Sequence, residues 1–173
     1  DSLITGFGDH VEAYGNDGND SIRVQGASSW VSGGGENDII YGGNGSDNIC
    51  GDFRASDHGD DQIYGGFGAD QLWGDGGDDI MDGGAGADRI HGGDGDDTLY
   101  GRAGIDDIRG NSGADAIYGG DGLDSFWSNV NSWNGDIIYD FQPGESAIFQ
   151  YGYGDQYQVN ESDISIQALG AIG

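Results

Sequence analysis

Gly83-Gly84-Ala85-Gly86-Ala87-Asp88-Arg89-Ile90-His91 holds two kinds of physical chemistry within nine residues. The glycines of its first half admit positive φ and close backbone approach, so that half is turn. Its second half reads as a three-residue strand, with Ile90 on one face and Arg89 and His91 on the other. The pattern repeats outward in both directions. An Asp followed two residues later by an apolar side chain recurs at Asp20, Asp38, Asp47, Asp61, Asp70, Asp79, Asp88, Asp97, Asp106, Asp115 and Asp124, in steps of nine. Ser29-Trp30-Val31 fills the one gap in frame, so twelve units run from Gly15 to Trp127. A longer step between Asp47 and Asp61 reads as a five-residue insertion, about Phe53 to Asp57.

Internal periodicity of this kind is the signature of a solenoid. The middle residues of the twelve strands, from Ile22 and Val31 to Ile117 and Phe126, are all apolar and are expected to face inward. Two units make one 18-residue coil with a strand on each side, and stacked coils pair strands at the parallel spacing of about 4.8 Å. The expectation is an all-β, two-sheet parallel solenoid of about six coils. One coil brings only two inward aliphatics, so it cannot stand alone and must stack on neighbours.

Stacking creates an electrostatic problem. Asp38, Asp61, Asp79, Asp97 and Asp115 fall in one column, and Asp47, Asp70, Asp88, Asp106 and Asp124 in the other. Two unit charges roughly 5 Å apart repel by about 3 kcal/mol at an effective dielectric of 20. Repeated along two ladders, that cost rivals the roughly 5 to 15 kcal/mol net stability of a domain. A counter-ion is required. Carboxylates with turn carbonyls, and no alternating His or Cys, describe a Ca²⁺ site better than a Zn²⁺ or Cu²⁺ site.

Composition agrees. The 173 residues include 38 Gly and one Pro, which keeps disorder in view as the alternative. Yet 35% of residues are hydrophobic and 11% aromatic, more than a solvating acidic tail carries. Five basic residues against 32 acidic ones leave a net charge of −27, which excludes nucleic acid and anionic membrane surfaces as partners. No apolar run is long enough for a membrane span, and Cys50, the single cysteine, cannot form an internal disulfide. The chain starts at Asp1 without an initiator Met, so it reads as part of a longer protein.

At these residues the sequence resembles the RTX (repeats-in-toxin) family, with its Ca²⁺-binding nonapeptide G-G-x-G-x-D-x-U-x. Gly65 to Trp73, Gly83 to His91, Gly92 to Tyr100 and Gly119 to Trp127 fit every fixed position. The resemblance implies a right-handed parallel β-roll spanning residues 15–127, with residues 1–14 an irregular first coil. It implies about seven or more Ca²⁺ ions between coils, held by the Asp residues named above, Asp20 included. Backbone carbonyls of Gly66, Gly68, Gly84, Gly86, Gly93, Gly95, Gly104, Gly113, Gly120 and Gly122 would complete the ligands. It also implies a structural module of a secreted bacterial protein, exported by type I secretion, that folds on Ca²⁺ outside the cell.

Departures from the repeat mark the weaker places. Ser29 replaces an Asp, Arg102 and Asn111 stand at second-glycine positions, and the insertion interrupts the step to Asp61. Asp1-Ser2-Leu3 reads as the end of another repeat, while Asp9-His10-Val11 is out of frame. Past Trp127 the period stops. Asp136-Ile137-Ile138-Tyr139-Asp140-Phe141 resembles the D-x-I-x-D-F strand that closes the roll in secreted RTX proteases and epimerases. Ser146 stands where that pattern has another Asp ahead of Ile148. Residues 128–173 are expected to form a β-rich cap, with a region suited to a secretion signal.

Tyr41, Tyr64, Tyr100 and Tyr118 recur at the ninth position of one column and should form an aromatic ladder. One reading is a face for polysaccharide or cell-surface glycan, and the other is cross-strand support for short strands. No catalytic residues emerge, so any enzymatic domain, of protease or alginate epimerase type, would lie upstream. His10, His58 and His91 are scattered, no G-x-S-x-G is present, and Cys50, at a ninth position, has no repeat-linked His partner.

Overall fold

One inward apolar residue between two outward ones makes each repeat a half-buried strand, and the described residues form seventeen strands. The computed structural model describes residues 3–53, 58–129, 135–151 and 155–159. Among the described residues there is no helix. The first sheet contains β1 (Leu3–Gly8), β3 (Ser21–Gly26), β5 (Ile39–Asn44), β7 (Gln62–Phe67), β9 (Ile80–Ala85), β11 (Thr98–Ala103), β13 (Ala116–Asp121) and β15 (Ile137–Ile138), side by side in that order. The second contains β2 (Val11–Asp17), β4 (Ser29–Gly35), β6 (Asn48–Asp52), β8 (Gln71–Gly76), β10 (Arg89–Asp94), β12 (Asp107–Ser112), β14 (Ser125–Asn129), β16 (Ser146–Tyr151) and, beyond it, β17 (Asp155–Val159). From β1 to β16 the chain alternates between the sheets at every turn, which is the parallel two-sheet solenoid the period demands.

Pairing is parallel throughout except between β16 and β17, which run antiparallel. Register follows the repeat: Ile90 lies beside Ile108 and Leu99 beside Ile117. Across the insertion the step lengthens without loss of register, Ile40 against Ile63 and Ile49 against Leu72. The flanking sheets therefore keep their pairing, and residues 54–57 of the insertion lie outside the described residues. All twelve middle residues read as inward are buried, at 0 or 1% exposure.

The solenoid has eight windings, not about six, because both ends continue beyond the recognisable repeat. At the beginning, Leu3 pairs with Ser21 and Ile4 with Ile22, so Ile4 points inward and Leu3 is 76% exposed. Reading Leu3 as the inward residue is thus one position out of register. Val11-Glu12-Ala13 lies on Ser29-Trp30-Val31, and both Val11 and Ala13 are buried. Hydrocarbon at Val11, where the repeat places an Asp, hides that unit from a motif search while still filling the fold.

At the other end Ile117 pairs with Ile138 and Phe126 with Ala147. Ala147, not Ile148, is therefore the inward residue, and Glu145, not Ser146, takes the Asp position. The Phe126 and Phe141 rings meet 5.9 Å apart, filling the interior at this level with aromatic carbon. Arg102 and Asn111 adopt φ of +81° and +75° at second-glycine positions, so the turn survives there in the left-handed region at some conformational cost.

Candidate metal centres

Each Asp of the repeat sits where a turn delivers the chain into a strand, and the 18-residue step stacks these side chains in two columns. In the first column the backbone N–H of Asp20 donates to Asp38 Oδ1, Asp38 to Asp61, Asp61 to Asp79, Asp79 to Asp97 and Asp97 to Asp115, at 2.7 to 2.9 Å. In the second, Asp47 donates to Asp70, Asp70 to Asp88, Asp88 to Asp106 and Asp106 to Asp124, at 2.8 to 2.9 Å. The structure therefore brings together all eleven predicted aspartates, and both columns pass the insertion undisturbed. The first column continues to Asp136, whose Oδ1 accepts from Asp115 N–H at 3.2 Å.

Only one oxygen of each accepting carboxylate is used in this way, and at Asp47, which only donates, both oxygens are buried without a hydrogen-bond partner. Oδ2 of Asp38, Asp61, Asp79, Asp97 and Asp115, and of Asp70, Asp88, Asp106 and Asp124, is buried without a hydrogen-bond partner. Buried polar atoms are normally satisfied, and a whole row of exceptions points to a missing ligand. The electrostatics agree. Burial pushes Asp61 and Asp97 up to about 8, and Asp79 and Asp106 up to about 7. It raises Asp38, Asp47, Asp70, Asp88 and Asp115 to about 6. A donated backbone N–H offsets part of the shift in these groups, and neighbouring acids add to it in many.

The first glycine of each turn faces this orphaned oxygen. A Cβ on Gly65 would lie 2.5 Å from Asp70 Oδ2 and 2.7 Å from the Gly83 carbonyl. Gly42 has the same relation to Asp47 and Gly65, at 2.8 and 2.7 Å. Gly33, Gly51, Gly74 and Gly92 repeat it in the first column. The glycines expected as carbonyl donors stack along the column: a Cβ on Gly84, Gly86, Gly104, Gly113 or Gly122 would overlap the carbonyl of the residue one winding below. Gly93 and Gly120 bear the same relation to Asp75 and Arg102, and Gly95 to Gly77. Their carbonyls project along the solenoid axis toward the next turn.

Among the described residues, no three His, Cys, Asp or Glu side chains converge into a metal cage. A cation between windings would thus draw on carboxylate and carbonyl oxygen together. That is a hard, all-oxygen donor set, and it fits Ca²⁺. Ser29, with 2% exposure, stands below Asp47 where an acid would be, so the ladder is one carboxylate short there.

An outer row was not legible as a site feature. At the fifth repeat position Asn37 N–H donates to Asn19, Asp60 to Asn37, Asp78 to Asp60, Asp96 to Asp78 and Ala114 to Asp96. Its 18-residue spacing is visible in the sequence, but side chains on a turn give no periodic hydropathy to flag it. In the second column the matching row begins with Ser46, whose hydroxyl accepts from Ala69 N–H, but continues as Ala69, Ala87, Ile105 and Leu123, so the two rims differ in chemistry.

The aromatic ladder forms in two pieces. Tyr41 stacks on Tyr64 at 4.9 Å, and Tyr100, Tyr118 and Tyr139 form a continuous stack at 4.9 and 4.7 Å. Asp82 interrupts it and pairs with Arg102, which also lies over Tyr100. Arg23 covers Tyr41. Ring faces are thus largely occupied by each other and by guanidinium groups. On the second sheet Trp73 stacks with His91, and Arg109 lies over Trp127. Burial, then Arg109, lowers the pKa of His91. Cys50 donates to the Asp52 carbonyl and to Asp75 Oδ2, and burial followed by these acids raises its pKa, the reverse of an activated thiolate.

A protein-family model described as the RTX calcium-binding nonapeptide repeat matches this chain in four copies, over residues 14–49, 58–90, 73–108 and 91–126. Comparison with curated proteins and with solved structures gave no match. The matched repeats bind Ca²⁺ and constitute a structural module, not a catalytic one.

Proposed function

Because the chain belongs to the family of RTX calcium-binding nonapeptide repeats, we propose that it is the Ca²⁺-folded module of a secreted bacterial protein, exported in an extended state and folded outside the cell. The observation that carries this reading is the row of buried Oδ2 atoms without partners, set against glycine carbonyls in successive windings. At low Ca²⁺ the acids of a chain with net charge −27 oppose stacking. Extracellular sites bind Ca²⁺ at about 10⁻⁴ to 10⁻³ M, so external Ca²⁺ stabilises the windings by mass action while cytosolic Ca²⁺ does not. Binding and folding are then one event.

The ions number about seven or more in this reading, with Asp38 to Asp115 and Asp47 to Asp124 as carboxylate ligands and turn carbonyls completing each set. The Tyr face serves strand pairing, since stacked rings leave mainly edges for a sugar. Any catalytic activity of the parent protein belongs to a separate domain. Circular dichroism during a Ca²⁺ titration at pH 8.5 tests the proposal. A cooperative gain of β signal at near-millimolar Ca²⁺ is expected, and a full β signal in EGTA would overturn it.

A further inference from the structure

The closing winding lies outside the nonapeptide pattern and outside the family match, yet it repeats the chemistry of the ladder with a different residue. Ser125 pairs with Ser146, which places Glu145 directly beside Asp124 in the second column. Glu145 is 5% exposed and Asp124 1% exposed. Asp124 Oδ1 accepts from Asp106 N–H, and Glu145 Oε2 accepts from Gln142 N–H across the turn 142–145. The other oxygens, Asp124 Oδ2 and Glu145 Oε1, are both buried with no donor. The two carboxyl groups interact directly, with the Asp140 charge also near.

Two buried acids in contact, each with one oxygen held by a backbone N–H and one left over, are stable only if a proton or a cation lies between them. We propose that Asp124 and Glu145 form an additional divalent-cation site that locks the non-repeat closing winding onto the last winding of the repeat. The longer Glu side chain spans what an Asp spans elsewhere, because its backbone enters from the turn 142–145 and not from a glycine-rich one. This rests on the Ca²⁺ reading above, and it adds one ion that the repeat does not predict.

The test compares ions bound per full-length chain for wild type, Glu145→Gln and, as a control at an exposed acid, Asp121→Asn, by equilibrium dialysis against Ca²⁺. Glu145→Gln should bind one ion fewer, while Asp121→Asn matches wild type. Equal stoichiometry and affinity in Glu145→Gln would overturn the site. Absence of Ca²⁺ binding by wild type would overturn this site together with the broader reading, so the two failures are distinct. A second readout does not need the variant to fold. The chain has four glutamates, Glu12, Glu36, Glu145 and Glu161. In Ca²⁺-saturated wild type labelled with ¹³C at Glu Cδ, one carboxyl resonance should stand apart from the free-carboxylate position that exposed Glu12 and Glu36 occupy. Four free-carboxylate resonances would refute the proposal.

Discussion

The backbone N–H of Asp79 donates to Asp97 Oδ1 at 2.9 Å, and Asp97 Oδ2 remains buried with no partner. One oxygen of this side chain joins two windings, and the other is left for a ligand that the polypeptide does not supply. Because the same division recurs up both columns, removing the charge and removing the contact are separable perturbations.

Asp79→Asn keeps an oxygen to accept from Asp61 N–H but removes a formal charge. The Ca²⁺ midpoint for folding should rise about tenfold, equivalent to about 1.4 kcal/mol. Asp78→Asn, on the outer row and exposed, should leave the midpoint within about twofold, since a solvated charge contributes little. Calorimetric or dichroic Ca²⁺ titration distinguishes the two.

The metal-free chain should respond to pH in the direction opposite to ordinary acid denaturation. Burial holds Asp61 and Asp97 at about 8 in the folded state against 3.8 when unfolded. A raised folded pKa means that the protonated form favours folding. This contribution is complete below about pH 4 and is lost as pH rises through about 8. Acidification in EGTA should therefore increase β signal, followed by circular dichroism. With Ca²⁺ present the requirement for metal should grow as pH falls, because ligation needs ionised carboxylates.

Gly92→Ala should destabilise the Ca²⁺-loaded roll by about 1 to 3 kcal/mol, since a Cβ there overlaps Asp97 Oδ2 and crowds the Gly110 carbonyl. Asp94→Ala, two residues on and exposed, should stay within about 0.5 kcal/mol. Thermal unfolding at fixed Ca²⁺ measures both.

Met81→Ala should cost about 2 to 5 kcal/mol, because Met81 is fully buried between Ile63 and Leu99 in one sheet. Urea unfolding at saturating Ca²⁺ should show a lower midpoint with an unchanged slope.

Tyr118→Ala removes the ring held between Tyr100 and Tyr139. A lower melting temperature with no change in retention on polysaccharide affinity gels is expected. Reduced retention on the gel would instead assign this face to a glycan.

Much of this is legible in the sequence. The Asp-x-apolar step of nine contains both the inward row and the acid columns, since a fixed step on a stacked coil decides the neighbours of every residue. What escaped lies where chemistry changes while backbone path does not. Val11 enters an Asp position as hydrocarbon, and Glu145 enters one from a different turn, so a motif keyed to Asp misses both windings. The loss of one oxygen of each Asp to a neighbouring N–H is a matter of turn geometry, which composition does not encode.

A stack of like coils has no intrinsic length, and each completed edge presents amide donors to whatever strand arrives next. Asp140 changes that at the end of the first sheet, where its carboxylate accepts from both Gly119 N–H at 2.8 Å and Gly120 N–H at 2.9 Å. A side chain thus occupies the donors that an incoming neighbour would need. Asp140 thereby covers the stretch of β13 that the two-residue β15 leaves unpaired, so that part of the rim is closed to a strand from another molecule.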